Sequence, residues 1–309
     1  AEIGATRKAV GEIDQKLLRV IAPAGYLDRW DEVELARNSP ALKRVRAVFD
    51  QRIKDAPDEA VHYSDRAWLA ERLFDWAAAE ADYTRAIELD PTIERYHARA
   101  DLRATRGNRD GVLADAQAAY DLDANNKDAR AWLAAALSDL GRTDEALELL
   151  EPDPDPATEE GESALVTRAQ TLADGGRAAE GLALLDGALK KRPSSATMLN
   201  SRCWLKGLAN TGLDEALADC TRAIELAAEP AAYYDSRAMV HFRAGRLAEA
   251  KADLDAALAI APELTASRYM RGIVAQRMGD KAAATRDLGA ARKLRPSIDQ
   301  FFARYGIKP

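Results

Sequence analysis

The chain has 309 residues, 47% hydrophobic and 31% charged, with a formal net charge of -7 and a pI near 5.3. No apolar run approaches the ~18 residues of a membrane-spanning helix. The acidic balance argues against nucleic acid or an anionic membrane as the main partner, because both require a concentrated basic footprint.

The chain begins at Ala1 with neither an initiator methionine nor a signal-like apolar core. That reads either as a mature form or as a piece of something longer, and it leaves the compartment open, cytoplasmic or periplasmic. Residues 1–57 carry two helical patterns, with Val10, Ile13, Leu17 and Ile21 on one face and Leu42, Val45, Phe49 and Ile53 on another. They are expected to form an N-terminal cap or a degenerate repeat. Lys43, Arg44, Arg46, Arg52 and Lys54 suit a contact patch, though a solvated helix face explains them as well.

From Ala60 to Pro296 one phrase recurs about seven times. Its small residue at the start of the second helix is Ala79, Val112, Ala146, Gly181, Ala216, Ala250 and Ala284, at spacings of 33 to 35 residues. A second small slot recurs as Ala67, Ala100, Ala134, Ala169, Cys203, Ala238 and Gly272, and a third as Ala86, Ala119, Ala188, Ala223, Ala257 and Ala291. Two antiparallel helices approach closely only where side chains are small, so each copy is expected to be a helical hairpin. Gly107, Gly141, Gly176, Gly245 and Gly279 break the hairpins, and Pro91, Pro193, Pro262 and Pro296 stop their second helices.

Trp76, Ala79, Tyr83, Ala86 and Pro91 complete a pattern that resembles the tetratricopeptide repeat over roughly Ala60–Pro296. Arginine mostly replaces the leucine common before the first small slot, which marks a variant form. The resemblance implies an all-α, right-handed superhelical solenoid of about seven hairpins in a bacterial-type array. Residues 58–150 would hold repeats 1–3 and residues 162–296 repeats 4–7. Between them, 151–161 is expected to be an acidic, proline-rich linker in which the alternating prolines forbid helix. Its acids, Asp153, Asp155, Glu159 and Glu160, lack the glycine and spacing of a calcium loop. Residues 297–309 are expected to cap the end, with Phe301, Phe302 and Tyr305 on the last hairpin and Asp299, Gln300 and Arg304 facing water.

The slot before the first small residue is arginine in six copies, and an aspartate follows 16 or 17 residues later in five of them. The pairs are Arg66 with Asp82, Arg99 with Asp115, Arg202 with Asp219, Arg237 with Asp253, and Arg271 with Asp287. The third copy has Leu133 and Leu149 instead, and the fourth breaks the rule with Arg168 and Leu184. Each arginine is expected to cross to the aspartate of its own hairpin and set register. A ladder of arginines gripping an acidic ligand is the alternative, although the aspartates already neutralise them.

Catalytic patterns are missing. His62, His97 and His241 have no metal-ligand spacing, and no phosphate loop or nucleophile elbow occurs. No cofactor and no enzymatic activity are expected. Cys203 and Cys220 fall in core slots of one hairpin, either as two packed thiols or, in an oxidising compartment, as a disulfide.

The resemblance implies a concave face lined by the first helices that takes a protein or peptide segment. Its candidate contacts are Trp68, Asn200, Trp204, Leu208, Met239, Phe242, Arg243, Tyr269, Ile273 and Arg277, concentrated in repeats 5–7. Packing against the next repeat or covering by the C-terminal residues is the competing account. The lysine and asparagine clamp of the chaperone-cofactor members is absent. Two roles follow: a non-enzymatic scaffold, or a repeat module of a larger bacterial, envelope-type enzyme whose catalytic part lies outside this chain.

Overall fold

A computed structural model describes residues 40–150 and 154–309. Among them lie sixteen α-helices and no strand, arranged as a solenoid of helical hairpins. The expected helix through Val10, Ile13, Leu17 and Ile21 lies outside the described residues. The chain divides into two compact units after Leu122 and before Asp123, not at the acidic stretch.

Unit 1 opens with α1 (Pro40–Asp55), whose buried Leu42, Val45 and Phe49 form the face that packs on α2 (Ala60–Arg72). Its hairpins are α2 with α3 (Trp76–Leu89) and α4 (Ile93–Arg106) with α5 (Arg109–Leu122). Unit 2 holds α6 (Lys127–Asp139) with α7 (Thr143–Leu149), and α8 (Glu159–Asp174) with α9 (Ala178–Lys191). There follow α10 (Ala196–Ala209) with α11 (Leu213–Leu226), α12 (Ala231–Arg243) with α13 (Leu247–Ile260), and α14 (Thr265–Arg277) with α15 (Lys281–Leu294). A short α16 (Ile298–Ala303) ends the sequence of helices.

Local chemistry sets these boundaries. Thr92, Asn126 and Ser195 accept the free backbone N–H of the third residue of α4, α6 and α10. The turn of the sixth hairpin places Gly245 at φ 74°, a left-handed conformation that costs glycine little. The fifth hairpin, one residue longer, uses Asn210 at φ 52° instead. The small slots are tight. A Cβ on Gly181 would come 2.5 Å from the Ala169 carbonyl oxygen, so even alanine is too large at that crossing.

One boundary differs from expectation. Helix α8 starts at Glu159, inside the stretch 151–161 read as linker, of which 151–153 are not described. Thr158 caps it by accepting from the Gly161 N–H at 3.0 Å. Glu159, Glu160 and Glu162 sit in its first turn, where the helix dipole favours negative charge. Helix α7, by contrast, has 7 residues against 14 in α3.

Charge then braces the alanine-rich stack. Arg237 donates from Nε and Nη2 to both oxygens of Asp253 at 2.8 and 2.7 Å, and its Nη1 reaches Thr221 on the preceding hairpin at 3.3 Å. Arg66 holds Asp82 and also Asp50, Arg202 holds Asp219 and Asp186, and Arg271 holds Asp287 and Asp255. Arg99 holds Asp115 and reaches Thr84. Hydrogen bonding to the aspartates raises the pKa of Arg66, Arg202 and Arg237. Each arginine therefore ties its own hairpin together and bonds the element before it. Those second contacts had a signal in the chain: Asp50, Asp186 and Asp255 each precede their arginine by 16 residues.

Candidate functional site

The first helix of each hairpin carries two stripes, because residues three and four apart share a face. One stripe meets the second helix through the small slots and the arginine. The other is free to meet something else.

In unit 1 that stripe holds Trp68, half-buried, with the Arg72 guanidinium 5.5 Å from its ring centre. Beside it Glu71 accepts the Tyr83 hydroxyl at 3.1 Å, and burial pushes the Glu71 carboxyl above the usual range.

In unit 2 the stripe is occupied. Met239, Tyr269 and Ile273, expected to line an open groove, are 1%, 0% and 0% exposed. They share one apolar cluster with Ile298, Phe302 and Ile307 of the chain's own last residues. Position on the first helix aims these side chains inward; the segment 298–309 then covers them. Tyr269 stacks on Phe302 with ring centres 4.9 Å apart and donates its hydroxyl to Asp299 at 2.6 Å. Trp204, Leu208 and Phe242 pack at the margin of the cluster and stay partly accessible. Asn200 is half-buried, and its Oδ1 has no hydrogen-bond partner.

Two arginines of the stripe hold main-chain carbonyls. Arg243 donates from Nη2 to the Tyr305 oxygen at 2.6 Å and from Nε to the Gly207 oxygen at 3.3 Å. It meets no carboxylate among the described residues, and burial lowers its pKa. Arg277, more exposed, donates to the Lys308 oxygen at 3.3 Å. At the far end Arg304 ion-pairs with Asp139 of α6, and the Tyr305 hydroxyl donates to Asp174 of α8 at 3.3 Å. Asp299 and Arg304 thus have protein partners in place of the water expected for them; Gln300 is exposed. Burial and Asp174 push the Tyr305 hydroxyl up to about 12.

Asp139 and Asp174 were not among the expected contacts. They lie 165 and 131 residues from their partners, a distance that no repeat spacing encodes.

Cys203 and Cys220, both fully buried, are joined as a disulfide between α10 and α11, with Cα atoms 5.5 Å apart. Among the described residues no group of three histidine, cysteine or acidic side chains converges on a metal-sized site. No described helix is long and apolar enough to cross a membrane.

Residues 231–264, the sixth hairpin, match the family model described as tetratricopeptide repeat. The crystal structure of a tetratricopeptide repeat protein from Parabacteroides merdae covers 81% of this chain and 99% of its own length, with a TM-score of 0.50 and 18% identity. The chain has the fold of tetratricopeptide-repeat proteins, and its sixth hairpin matches the repeat itself. Yeast Tom70 is similar over 86% of this chain and 59% of its own, with a TM-score of 0.54 and 18% identity. Bacteriophage adsorption protein A of Escherichia coli strain K12 is 38% identical over 71 residues, 23% of this chain. That match spans only 7% of the relative's length. In these hairpins, the arginine before the first small slot together with its aspartate distinguishes the five braced copies.

Proposed function

We propose that this repeat protein is a non-enzymatic scaffold that holds a segment of a protein partner on the free stripe of its first helices. The supporting observation is that this stripe in unit 2 already seats a stretch of polypeptide, 298–309, holding its side chains in an apolar pocket and its carbonyls on Arg243 and Arg277. Trp204, Leu208 and Phe242 are the accessible apolar contacts beside it, and Trp68 is a second anchor in unit 1. Tryptophan, with tyrosine and arginine, is enriched among the few residues that carry most of the energy in such contacts. The acidic chain favours a protein over a nucleic acid.

The test is capture of a partner, identified by mass spectrometry, on immobilised protein with and without the substitutions Trp204→Ala and Phe242→Ala. The double variant should keep its helical circular dichroism and lose the partner. Equal capture would move the site elsewhere.

A second reading has its own observation. A buried disulfide suits an oxidising compartment, and the E. coli relative is far longer than the matched segment. Both favour a module of a larger, envelope-associated bacterial protein whose other parts carry its activity. The length of the full gene decides between the two.

A further inference from the structure

A terminal cap needs only to cover the apolar edge of the last hairpin. Ile298, Phe302 and Ile307 do this, buried against Tyr269 and Ile273. Capping of that kind calls for no contact four hairpins away. Yet Arg304 reaches Asp139 on α6, in the third hairpin, and Tyr305 reaches Asp174 on α8, in the fourth.

The segment therefore has two parts. The anchor, Ile298, Phe302 and Ile307, is core. The latch, Arg304 and Tyr305, is polar and lies across the first helices of the stack. Its ion pair is an exposed one, with Arg304 and Asp139 side chains 38% and 35% accessible, and such pairs add little stability. Arg243 lies beneath the latch, partly buried, with its guanidinium bonded to two carbonyl oxygens, one of them on Tyr305. Lifting the latch leaves Arg243 one acceptor short, and a main-chain carbonyl of a replacing segment restores that bond.

We propose that Arg304 and Tyr305 act as an intramolecular ligand of the first-helix face of unit 2, and that the partner displacing them is a protein segment of the same chemistry. That chemistry is a basic residue followed directly by an aromatic one, matching Arg304 and Tyr305. The basic group pairs with Asp139, the aromatic hydroxyl with Asp174, and the backbone with Arg243. This inference rests on the groove reading above and adds its occupant and its regulation: the partner binds in competition with the chain's own end.

The experiment uses the full chain and, as probe, a fluorescently labelled synthetic peptide of residues 298–309, IDQFFARYGIKP. The unlatched variant carries Arg304→Glu and Tyr305→Ala, which leave Phe302 and Ile307 in the core. The probe should bind the unlatched chain about tenfold tighter or more than the native chain, since a closed groove reduces apparent affinity by its open fraction. A charge-reversed chain, Asp139→Arg with Arg304→Asp, should close again and bind the probe as weakly as the native chain. Equal affinity for native and unlatched chains, or no binding to either, overturns the proposal. So does a native dimer in light scattering that dissociates on unlatching, because the segment would then belong to a second copy. Failure here leaves the groove reading to its own test: if Trp204→Ala with Phe242→Ala still abolishes partner capture, only the competition by the tail is wrong.

Discussion

The brace of the sixth hairpin makes a quantitative prediction, and the third hairpin supplies its natural control. Asp253 is 6% exposed, held by two bonds from Arg237, with the His241 Nε2 at 3.7 Å. The substitution Arg237→Leu strands that carboxylate, and breaking a buried pair costs about 3–5 kcal/mol. Asp253→Leu is milder, about 1–3 kcal/mol, because Arg237 keeps the Tyr234 ring at 5.6 Å and a path to water. Changing both to leucine recreates the apolar pair Leu133 and Leu149 and should return stability to within about 1 kcal/mol of the native chain. The cycle therefore predicts a coupling of about 3 kcal/mol or more, read from urea unfolding by circular dichroism. Burial, with Arg237 as a lesser contributor, depresses the His241 pKa, so removing the arginine eases protonation of that imidazole beside Asp253. The cost of Arg237→Leu should accordingly shrink as pH falls from 8 toward 5.5. Single effects that merely add, with coupling under about 0.5 kcal/mol, would refute the claim that these pairs act as units.

Other positions give simpler tests. Gly181→Ala should destabilise by about 1–3 kcal/mol, as overpacking does, because its Cβ would strike the Ala169 carbonyl. Gly187→Ala on the same helix meets nothing within 4 Å and should stabilise by up to about 1 kcal/mol; similar melting shifts for the two would dismiss the crossing argument. Burial raises the Asp235 carboxyl, which accepts from Ser267 at 2.5 Å. A raised acid favours folding below its unfolded pKa and loses that contribution as pH rises through the folded one. Asp235→Asn should thus raise the urea midpoint at pH 7 and leave it unchanged in strong acid. Cys203 and Cys220 close a separation of 17 residues, worth about 3 kcal/mol, so the unfolded, unreduced chain should show no free thiol and reduction should lower its melting temperature.

What could be read from the chain was what lies within one hairpin. The small slots, the turn glycines and the five arginine–aspartate pairs are separated by fixed, short intervals, so periodicity carries them. The contents of the groove were not of that kind. Met239, Tyr269 and Ile273 occupy first-helix positions and are buried in one apolar cluster with Ile298, Phe302 and Ile307. Whether such a stripe is open depends on Phe302 and Ile307, which belong to no repeat. Likewise Pro154 and Pro156 lie outside any helix, but Thr158 and the glutamates after it start α8 as soon as the prolines end. A run of acids reads as linker or as helix N-terminus according to one capping residue.

The departure at the fourth hairpin has a physical cause in the third. With Leu184 in place of an aspartate, Arg168 has no acid at that slot of its own second helix, and it donates instead to the Leu147 carbonyl at 3.1 Å. Leu147 lies in the last turn of α7, where the dipole favours a cation, and its carbonyl also accepts the Leu150 N–H at 3.3 Å. The shortened α7 thus supplies an acceptor at the place where the full-length second helices bring a side chain, and Ser138 adds a bond to the Thr171 carbonyl at 3.1 Å. At the arginine slot, hairpins three and four are tied by a main-chain acceptor where the others use Thr84, Asp186, Thr221 and Asp255. Because a carbonyl is neutral, removing the arginine strands no charge. Arg168→Leu should therefore cost about 1 kcal/mol, the net worth of an ordinary hydrogen bond, and should show none of the pH dependence expected of Arg237→Leu. A loss as large as that of Arg237→Leu would mean that the guanidinium packing, and not its partner, is what the slot requires.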